Sequence, residues 1–180
     1  PSGKLPLTFC KSATQLFPFD KKARQVTYDA YHGYRYFDRE NLSPAFHFGF
    51  GLSYTEYAYA NFRLDKNQMS LDEKSTATLT ASVDITNTGE RSGEEVVQVY
   101  VGYHGEVARP ARELKAFAKV FLEPGQTKTV PLAGLAYYNP DQQQWEVEQC
   151  DYTVWVGPSA DPEQLKLSEK VTVISCGKNS

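Results

Sequence analysis

The sequence of 180 residues predicts an all-β protein, two sheets packed face to face, with an irregular N-terminal extension. Three observations support this fold class. Helix-favouring runs are few, and short runs rich in Val, Thr, Tyr and Phe are separated by Gly, Pro, Asn and Asp. Residues 1–51 show neither a strand nor a helix period, whereas the pattern from Leu52 onward alternates. A chain of this length can bury one good core.

The clearest strand lies in residues 76–86, TATLTASVDIT. Its apolar and polar residues alternate strictly, which predicts one buried and one exposed face. An earlier strand is expected within residues 52–64, beginning at Leu52. The buried face of the 76–86 strand is predicted to comprise Ala77, Leu79, Ala81, Val83 and Ile85.

Three further strands are predicted within residues 94–132. Residues 94–104 place valines on one face, and their other face is only partly polar, which predicts an interior strand. Residues 112–132 predict a strand, a type II turn at Pro124 and Gly125, and a returning strand that completes a hairpin. The shared face of the first of these strands is predicted to comprise Leu114, Ala116, Ala118, Val120 and Leu122.

Three late strands complete the series, at residues 143–148, 151–157 and 169–175. About seven or eight short strands at regular spacing favour a two-sheet sandwich of the immunoglobulin or fibronectin type III kind. Tyr152 opens a strand just after a corner, where such sandwiches place a tyrosine that hydrogen-bonds back to the backbone.

The net charge and the cysteine pattern limit the classes of ligand and partner that the chain is expected to bind. A net charge of -3 leaves no basic face, so nucleic acid and anionic membranes are not expected partners, and no apolar run approaches the ~20 residues of a membrane span. The cysteines Cys10, Cys150 and Cys176 form no CxxC pattern, and neither a metal nor a cofactor is indicated. Cys150 and Cys176 are compatible with a disulfide or with buried free thiols. The start at Pro1 rather than Met is interpreted as a processed or excised piece.

Six pieces of the sequence, in order, resemble the C-terminal part of glycoside hydrolase family 3 β-glucosidases. Any one piece is a weak signal, because PG turns and GxGxS strings are common, but the ordered set covers nearly the whole chain. The pieces are GKLPLTF (3–9), TYDAYHGYRYFD (27–38), AFHFGFGLSYTEYAYANF (45–62), TNTGERSGEEVVQVYV (86–101), RELKAFAKVFLEPGQTKTV (112–130) and DYTVWVG (151–157).

The resemblance implies three regions. Residues 1–26 would be the C-terminal remnant of an α/β sandwich domain, residues 27–51 a linker packing on the catalytic domains, and residues 52–177 a fibronectin type III-like domain. It also implies an enzyme that hydrolyses terminal β-D-glucosyl residues by a retaining mechanism, and a secreted or periplasmic location.

The catalytic carboxylates that this chemistry needs are expected outside the chain. A retaining glycosidase uses two carboxyl groups about 5–5.5 Å apart, and in the resembled family both precede this segment. We therefore assign no catalytic residue here. Carboxylates in this chain are expected on solvated surfaces, and Glu94 and Glu95, as neighbours on a strand, must point to opposite faces.

Two linker residues and two charged residues are candidates at the domain junction. Tyr31 and His32 are interpreted as rimming the sugar-binding crevice of the upstream domains, with ordinary packing at the junction as the alternative. Arg35 and Asp38 are predicted to hold the linker at the domain interface through charge-assisted hydrogen bonds.

The stretch AFHFGFG is predicted to join linker and sandwich. Phe46, Phe48 and Phe50 recur at every second residue and are expected to pack against the preceding domain. Gly49 and Gly51 would allow a close backbone approach or a bend.

The expected partners are the N-terminal catalytic portion of the same enzyme, a β-glucoside bound by the whole enzyme, and a second copy in a possible homodimer. The alternative function is a free-standing carbohydrate-binding or adhesion module, whose aromatic side chains would stack on sugar rings. The aromatic candidates for that role are Trp145, Trp155, Tyr137 and Tyr138.

Overall fold

A computed structural model describes residues 1–18, 20, 22–27, 29–71, 79–106, 108–133, 137–139 and 144–175. Within these ranges the chain forms a 3₁₀ turn at Ala13–Gln15, one short helix and ten strands. The helix is α1 (Tyr34–Arg39). The strands are β1 (Tyr57–Leu64), β2 (Gln68–Leu71), β3 (Thr80–Asn87), β4 (Gly93–Tyr103), β5 (Glu113–Leu122), β6 (Thr127–Ala133), β7 (Tyr137–Asn139), β8 (Gln144–Glu146), β9 (Asp151–Gly157) and β10 (Leu167–Ser175).

The strands form a two-sheet sandwich, which confirms the predicted all-β fold class. One sheet has the order β1-β3-β6 and the other β2-β10-β9-β4-β5, while β7 and β8 pair separately as a small hairpin. Pairing is antiparallel except between β10 and β2. The core lies between the two sheets, where fully buried side chains include Val83 and Ile85 on β3 and Val97 and Val101 on β4.

Periodicity correctly identified two strands. The inward face of β3 carries Ala81, Val83 and Ile85, with Leu79 just before the strand, and all are buried, while Ala77 lies outside the described residues. The prediction of an interior strand is also correct, since β4 pairs with β5 on one side and β9 on the other.

The predicted hairpin after β5 is wrong. The turn itself forms, because Gly125 adopts φ 72° and the Gln126 N–H donates to the Glu123 carbonyl at 3.0 Å. However, β5 pairs with β4, and β6 pairs with β3 in the opposite sheet. The turn therefore carries the chain from one sheet to the other, and the Lys128 ammonium on β6 donates to the Phe121 carbonyl on edge strand β5 at 2.8 Å.

Two smaller expectations also differ from the structure. The first strand begins at Tyr57, and Leu52 lies in an exposed irregular segment. Leu114 does not share a face with Ala116, because the β4–β5 register shifts between Val99 and Tyr100. This bulge turns Leu114 to the outer face of the five-stranded sheet, where it packs near Tyr100.

Two of the three cysteines lie within the described residues. Cys10 and Cys150 are half-buried free thiols, whereas Cys176 lies outside the described residues. Among the described residues, no helix is long and apolar enough to cross a membrane, and no three His, Cys, Asp or Glu side chains come together as metal ligands.

The predicted tyrosine corner is present. Tyr152 is fully buried at the start of β9, and its hydroxyl donates to the Glu148 carbonyl at 2.6 Å. We expect Tyr152→Phe to lower the free energy of unfolding by about 1–2 kcal/mol, because the carbonyl loses its donor. Urea denaturation measures this, with the exposed Tyr54→Phe as a control that should change nothing. Equal effects of the two variants would contradict a stabilising role for the corner.

Candidate functional site: the extension on the outer sheet face

The N-terminal extension, defined here as the described part of residues 1–51, folds against the sandwich through its own short antiparallel pairing. The Leu5 N–H donates to the Phe50 carbonyl at 2.8 Å, and the Phe9 N–H donates to the Phe46 carbonyl at 2.9 Å. The Phe48 carbonyl accepts a bond from the Ala160 N–H at 2.8 Å. Residues 45–50 are thus held between the first residues of the chain and the loop after β9.

Gly49 lies where the extension approaches the sheet most closely. Its φ of 81° favours glycine, and a Cβ there would come 2.6 Å from the side-chain amide of Gln98. Gln98 is buried and fixed, since its Nε2 donates to the Pro158 carbonyl at 2.7 Å and its Oε1 accepts from the Tyr100 hydroxyl at 2.6 Å. The close backbone approach expected at Gly49 is therefore present. Within this chain, the backbone of Gly49 approaches the side chain of Gln98 on strand β4 of the sandwich.

The phenylalanines at 46, 48 and 50 separate into two environments. Phe48 packs with Tyr34, their ring centroids 5.3 Å apart, in a second apolar cluster around the fully buried Tyr100. Phe46 packs against Phe50 with ring centroids 4.8 Å apart, and nearly half of the Phe46 surface is exposed while Phe50 is half-buried. Phe48 thus anchors the extension on the sheet, whereas Phe46 with Phe50 forms a partly exposed aromatic pair.

Helix α1 is fixed by side chains from the sandwich. A helix of six residues is too short to be stable alone. The Leu114 N–H donates to the Tyr34 hydroxyl at 2.9 Å, and Arg112 donates two bonds to the Asp38 carboxylate at 2.9 and 2.6 Å. The Arg35 guanidinium pairs with Glu113 at 2.9 Å. In this chain, therefore, the described ionic partners of Arg35 and Asp38 lie at the start of β5 and just before it.

Glu113 is the centre of a partly buried charge cluster. Burial alone would raise the pKa of its carboxyl, but Lys115 and Arg35 outweigh burial and lower the pKa below the usual value of 4.5. Lys115 lies 3.2 Å from Glu113, and burial lowers the pKa of its ammonium despite that carboxylate. The ionised form of Glu113 is thus favoured in the folded state.

This shift has a consequence for stability at acid pH. A carboxyl whose pKa is lower when folded stabilises the fold above its unfolded pKa, and this contribution is lost as the pH falls through the folded value. We expect stability of the wild type to drop as the pH falls from about 4.5. Glu113→Gln should flatten that part of the curve in urea unfolding measured against pH, with the exposed Glu163→Gln as control. An unchanged slope would contradict the role of Glu113.

The start of the extension contributes a buried ion pair. Lys4 Nζ lies 3.0 Å from Glu95 Oε1, and the Tyr59 hydroxyl donates to the same oxygen at 2.9 Å. Burial first, then the charge of Glu95, raises the pKa of Tyr59. The expectation of a solvated Glu95 is wrong because Lys4 and Tyr59 satisfy its charge, while Glu94 faces the other way and pairs with Lys119 at 2.6 Å.

Tyr31 and His32 make local contacts in the extension. The Arg39 guanidinium lies over the Tyr31 ring at 4.6 Å. His32 is exposed, and its Nδ1 lies 2.8 Å from the Asp29 carbonyl oxygen. The structure therefore does not bring these two side chains together with Arg35 or Asp38 through a described contact, and their place at a crevice rim stays a prediction.

Comparison with known proteins identifies the relatives of this arrangement. Residues 95–160 match the fibronectin type III-like domain. The chain is 36% identical over 181 residues to thermostable β-glucosidase B of Acetivibrio thermocellus, an alignment covering 95% of this chain and 23% of that protein. It is 38% identical over 174 residues to the β-glucosidase of Kluyveromyces marxianus, covering 89% and 20% respectively.

Solved structures that are similar to this chain are also β-glucosidases. β-Glucosidase 3B of Thermotoga neapolitana, in complex with glucose, matches with a TM-score of 0.78 and 38% identity, over 96% of this chain and 24% of that one. The β-D-glucoside glucohydrolase of Trichoderma reesei matches with a TM-score of 0.82 and 29% identity, over 97% and 27%. The chain spans about a quarter of the length of these proteins. Residues 95–160 are thus similar to the fibronectin type III-like domain family, and the chain as a whole is similar to a segment of longer β-glucosidases, as the sequence resemblance predicted.

Proposed function

We propose that this chain is the non-catalytic C-terminal portion of a β-glucosidase-like enzyme. In this proposal the whole enzyme hydrolyses terminal β-D-glucosyl residues by a retaining mechanism, and a catalytic portion outside the given sequence supplies both carboxylates. The observation that supports it is the alignment with a β-glucosidase over 95% of this chain but only 23% of the relative. The role of the chain would be to cover and stabilise the catalytic portion.

The surface proposed to contact the catalytic portion comprises Leu7, Phe9, Phe46 and Phe50, and is called the docking surface below. Leu7, Phe9 and Phe46 expose 48%, 46% and 46% of their surface, an unusual density of exposed apolar side chains in one short extension. The backbone bonds of Leu5 and Phe9 to residues 46–50 hold the two segments of this surface side by side.

This proposal keeps the predicted division of the chain. Residues 1–26 would end the α/β domain, residues 27–51 would form the linker and residues 52–177 the fibronectin type III-like domain. The pairing of residues 5–9 with 45–50 supports a junction in which the linker contacts both neighbours. Tyr31 and His32 would rim the crevice, and a homodimer of the whole enzyme remains part of the proposal, to be tested by analytical ultracentrifugation.

A chimaera tests the proposed function. This chain would replace the corresponding segment of the Thermotoga neapolitana enzyme, and turnover of an aryl β-glucoside would be measured for the chimaera and for the isolated chain. We expect turnover by the chimaera and none by the isolated chain. Turnover by the isolated chain would refute a non-catalytic role. In the active chimaera, Tyr31→Ala or His32→Ala should raise the Michaelis constant if these residues rim the crevice.

Phenylalanine variants test the docking surface. Phe46→Ser with Phe50→Ser should lower the melting temperature of the chimaera more than that of the isolated chain, because the exposed part of this aromatic pair would be covered only in the chimaera. Phe48→Ser is the matched control, since it removes a contact with Tyr34 and should destabilise both proteins. If the double variant destabilises the isolated chain as much as the chimaera, the pair belongs to the chain's own packing and the proposed docking surface is wrong.

A further inference from the structure

A cleft of about 590 Å³ opens beside helix α1 on the outer face of the five-stranded sheet. Its walls are α1 with residues 41–47 on one side and the loop 158–163 on the other. Its volume lies within the roughly 300–1,000 Å³ of small-molecule sites. Nothing in the proposed role of the chain uses this cleft. Side chains that the argument uses are Thr8, Tyr34, His47, Trp155 and Asp161.

Aromatic rings line the cleft. Trp155 lies on β9, and a Cβ at Gly102 would come 2.7 Å from its six-membered ring, so glycine at that position leaves room for the indole against the sheet. Tyr34 is held by the Leu114 N–H at its hydroxyl and by Tyr100, their ring centroids 5.9 Å apart. Both rings are thus fixed in place before any ligand binds, which lowers the entropy cost of stacking on them.

Hydrogen-bonding groups face the same space. Among the described residues, the buried Thr8 hydroxyl has no hydrogen-bond partner, which costs free energy unless a ligand or water satisfies it. The His47 Nε2 lies 3.7 Å from Asp161 Oδ1, beyond hydrogen-bond distance. A ligand hydroxyl that lies beside both atoms, off the line joining them, could hydrogen-bond to each.

The charges of the cleft argue against an anionic ligand. Arg112 is bonded twice to Asp38, so its guanidinium is already neutralised by a carboxylate and does not offer a site for an anion. The other polar side chains of the lining suit adjacent ligand hydroxyls, and they are Thr8, Asn41, Ser43, His47, Asp161 and Glu163. Flat rings with such polar groups at their edge match a pyranose, whose C–H face is apolar and whose rim is polar.

We propose that this cleft binds a neutral saccharide of one or two pyranose rings, with Trp155 as the stacking platform and Thr8, His47 and Asp161 bonding the hydroxyls. The site is separate from the docking surface, because the lining of the cleft includes Thr8 but none of the four docking-surface side chains. The proposal therefore does not depend on the proposed function, and the isolated chain tests it directly.

The experiment is a titration of the isolated chain with glucose and with cellobiose, followed by the indole N–H signals in ¹H–¹⁵N NMR spectra. The chain has two tryptophans, so Trp145, whose side chain lies outside the described residues, serves as the internal reference. We expect a saturable shift of the Trp155 signal with a Kd on the order of 1 mM, typical of a small, weak site. Glycerol, which has hydroxyls but no ring face, should cause no such shift.

Variants identify the groups that bind. Thr8→Val preserves the volume of the side chain and His47→Ala removes a polar rim group, and each should weaken binding roughly threefold to tenfold by loss of one hydrogen bond. His104→Ala is the matched control, because His104 is exposed, bonds the Thr153 hydroxyl and does not line the cleft, and it should bind as the wild type does. Preserved dispersion of the amide spectrum shows that each variant is folded.

Three results would overturn the proposal. The first is a Trp155 signal unmoved by either sugar at concentrations on the order of 50 mM, far above the expected Kd. The second is a response to tetramethylammonium chloride without a response to the sugars, which would show a cation site on the aromatic rings. The third is unchanged sugar affinity in folded Thr8→Val and His47→Ala variants.

Discussion

Arg112→Ala is expected to lower the free energy of unfolding by about 3 kcal/mol, because it leaves the Asp38 carboxylate buried without its charged partner. The side chains of Arg112 and Asp38 are only 11% and 17% exposed, and two hydrogen bonds of 2.9 and 2.6 Å join them. Since Asp38 lies on α1, the loss should also release the helix from the sandwich. Urea denaturation gives the free energy, and hydrogen exchange of the α1 amides reports the release.

Arg39→Ala is the matched control for this prediction. Arg39 lies on the same helix, but its ion pairs with Glu40 and Asp29 involve exposed side chains, and such pairs contribute only about 0–1 kcal/mol. A loss in Arg112→Ala no greater than in Arg39→Ala would show that the Arg112–Asp38 pair does not hold α1. Asp38→Asn should fall between the two, because it keeps the shape of the side chain and loses its charge.

Gly49→Ala is expected to cost about 2–4 kcal/mol, the sum of a strained backbone and a disrupted hydrogen-bond pair. The new Cβ would displace the side-chain amide of Gln98, which lies 2.6 Å from it. Displacement leaves the Tyr100 hydroxyl and the Pro158 carbonyl without their partner. Thermal unfolding followed by circular dichroism measures the loss.

Gly125→Ala separates the two contributions. Gly125 also has a positive φ, of 72°, but a Cβ there would meet nothing within 4 Å. It should therefore cost only about 1 kcal/mol, the backbone strain alone. If Gly49→Ala costs no more than Gly125→Ala, the chain accommodates the new methyl group and the close packing of the extension on Gln98 contributes nothing to stability.

Strands could be predicted from the sequence because successive side chains of a strand point to opposite faces of the sheet. Leu79, Ala81, Val83 and Ile85 alternate with polar residues, and all four are buried in the core. The turn at Pro124 and Gly125 was also predicted correctly, because it depends only on the backbone preferences of these two residues. No local signal states which sheet the next strand joins, so the hairpin was predicted where the chain instead changes sheets.

The contacts of the candidate site were harder to predict from the sequence, because they join residues that are far apart in the chain. Helix α1 was missed, since six residues with three aromatic rings carry no helical period and depend on Arg112 and Leu114 for support. Glu95 was expected in solvent, and its partner Lys4 lies 91 residues away. Arg35 and Asp38 form ion pairs with Glu113 and Arg112, and these partners could not be inferred from spacing, while the role of Arg35 and Asp38 at a domain interface stays a prediction.

The bond between Lys128 and the Phe121 carbonyl affects how the protein behaves in concentrated solution. Strand β5 is ten residues long, lies at a sheet edge and exposes Phe117 and Phe121, features that invite pairing with another chain. Lys128 occupies one backbone acceptor at this edge, and Lys119 places a charge between the two phenylalanines. A strand of another chain would have to displace the Lys128 ammonium and desolvate the Lys119 ammonium before it could pair with β5. These two lysines therefore protect the molecule against aggregation through β5.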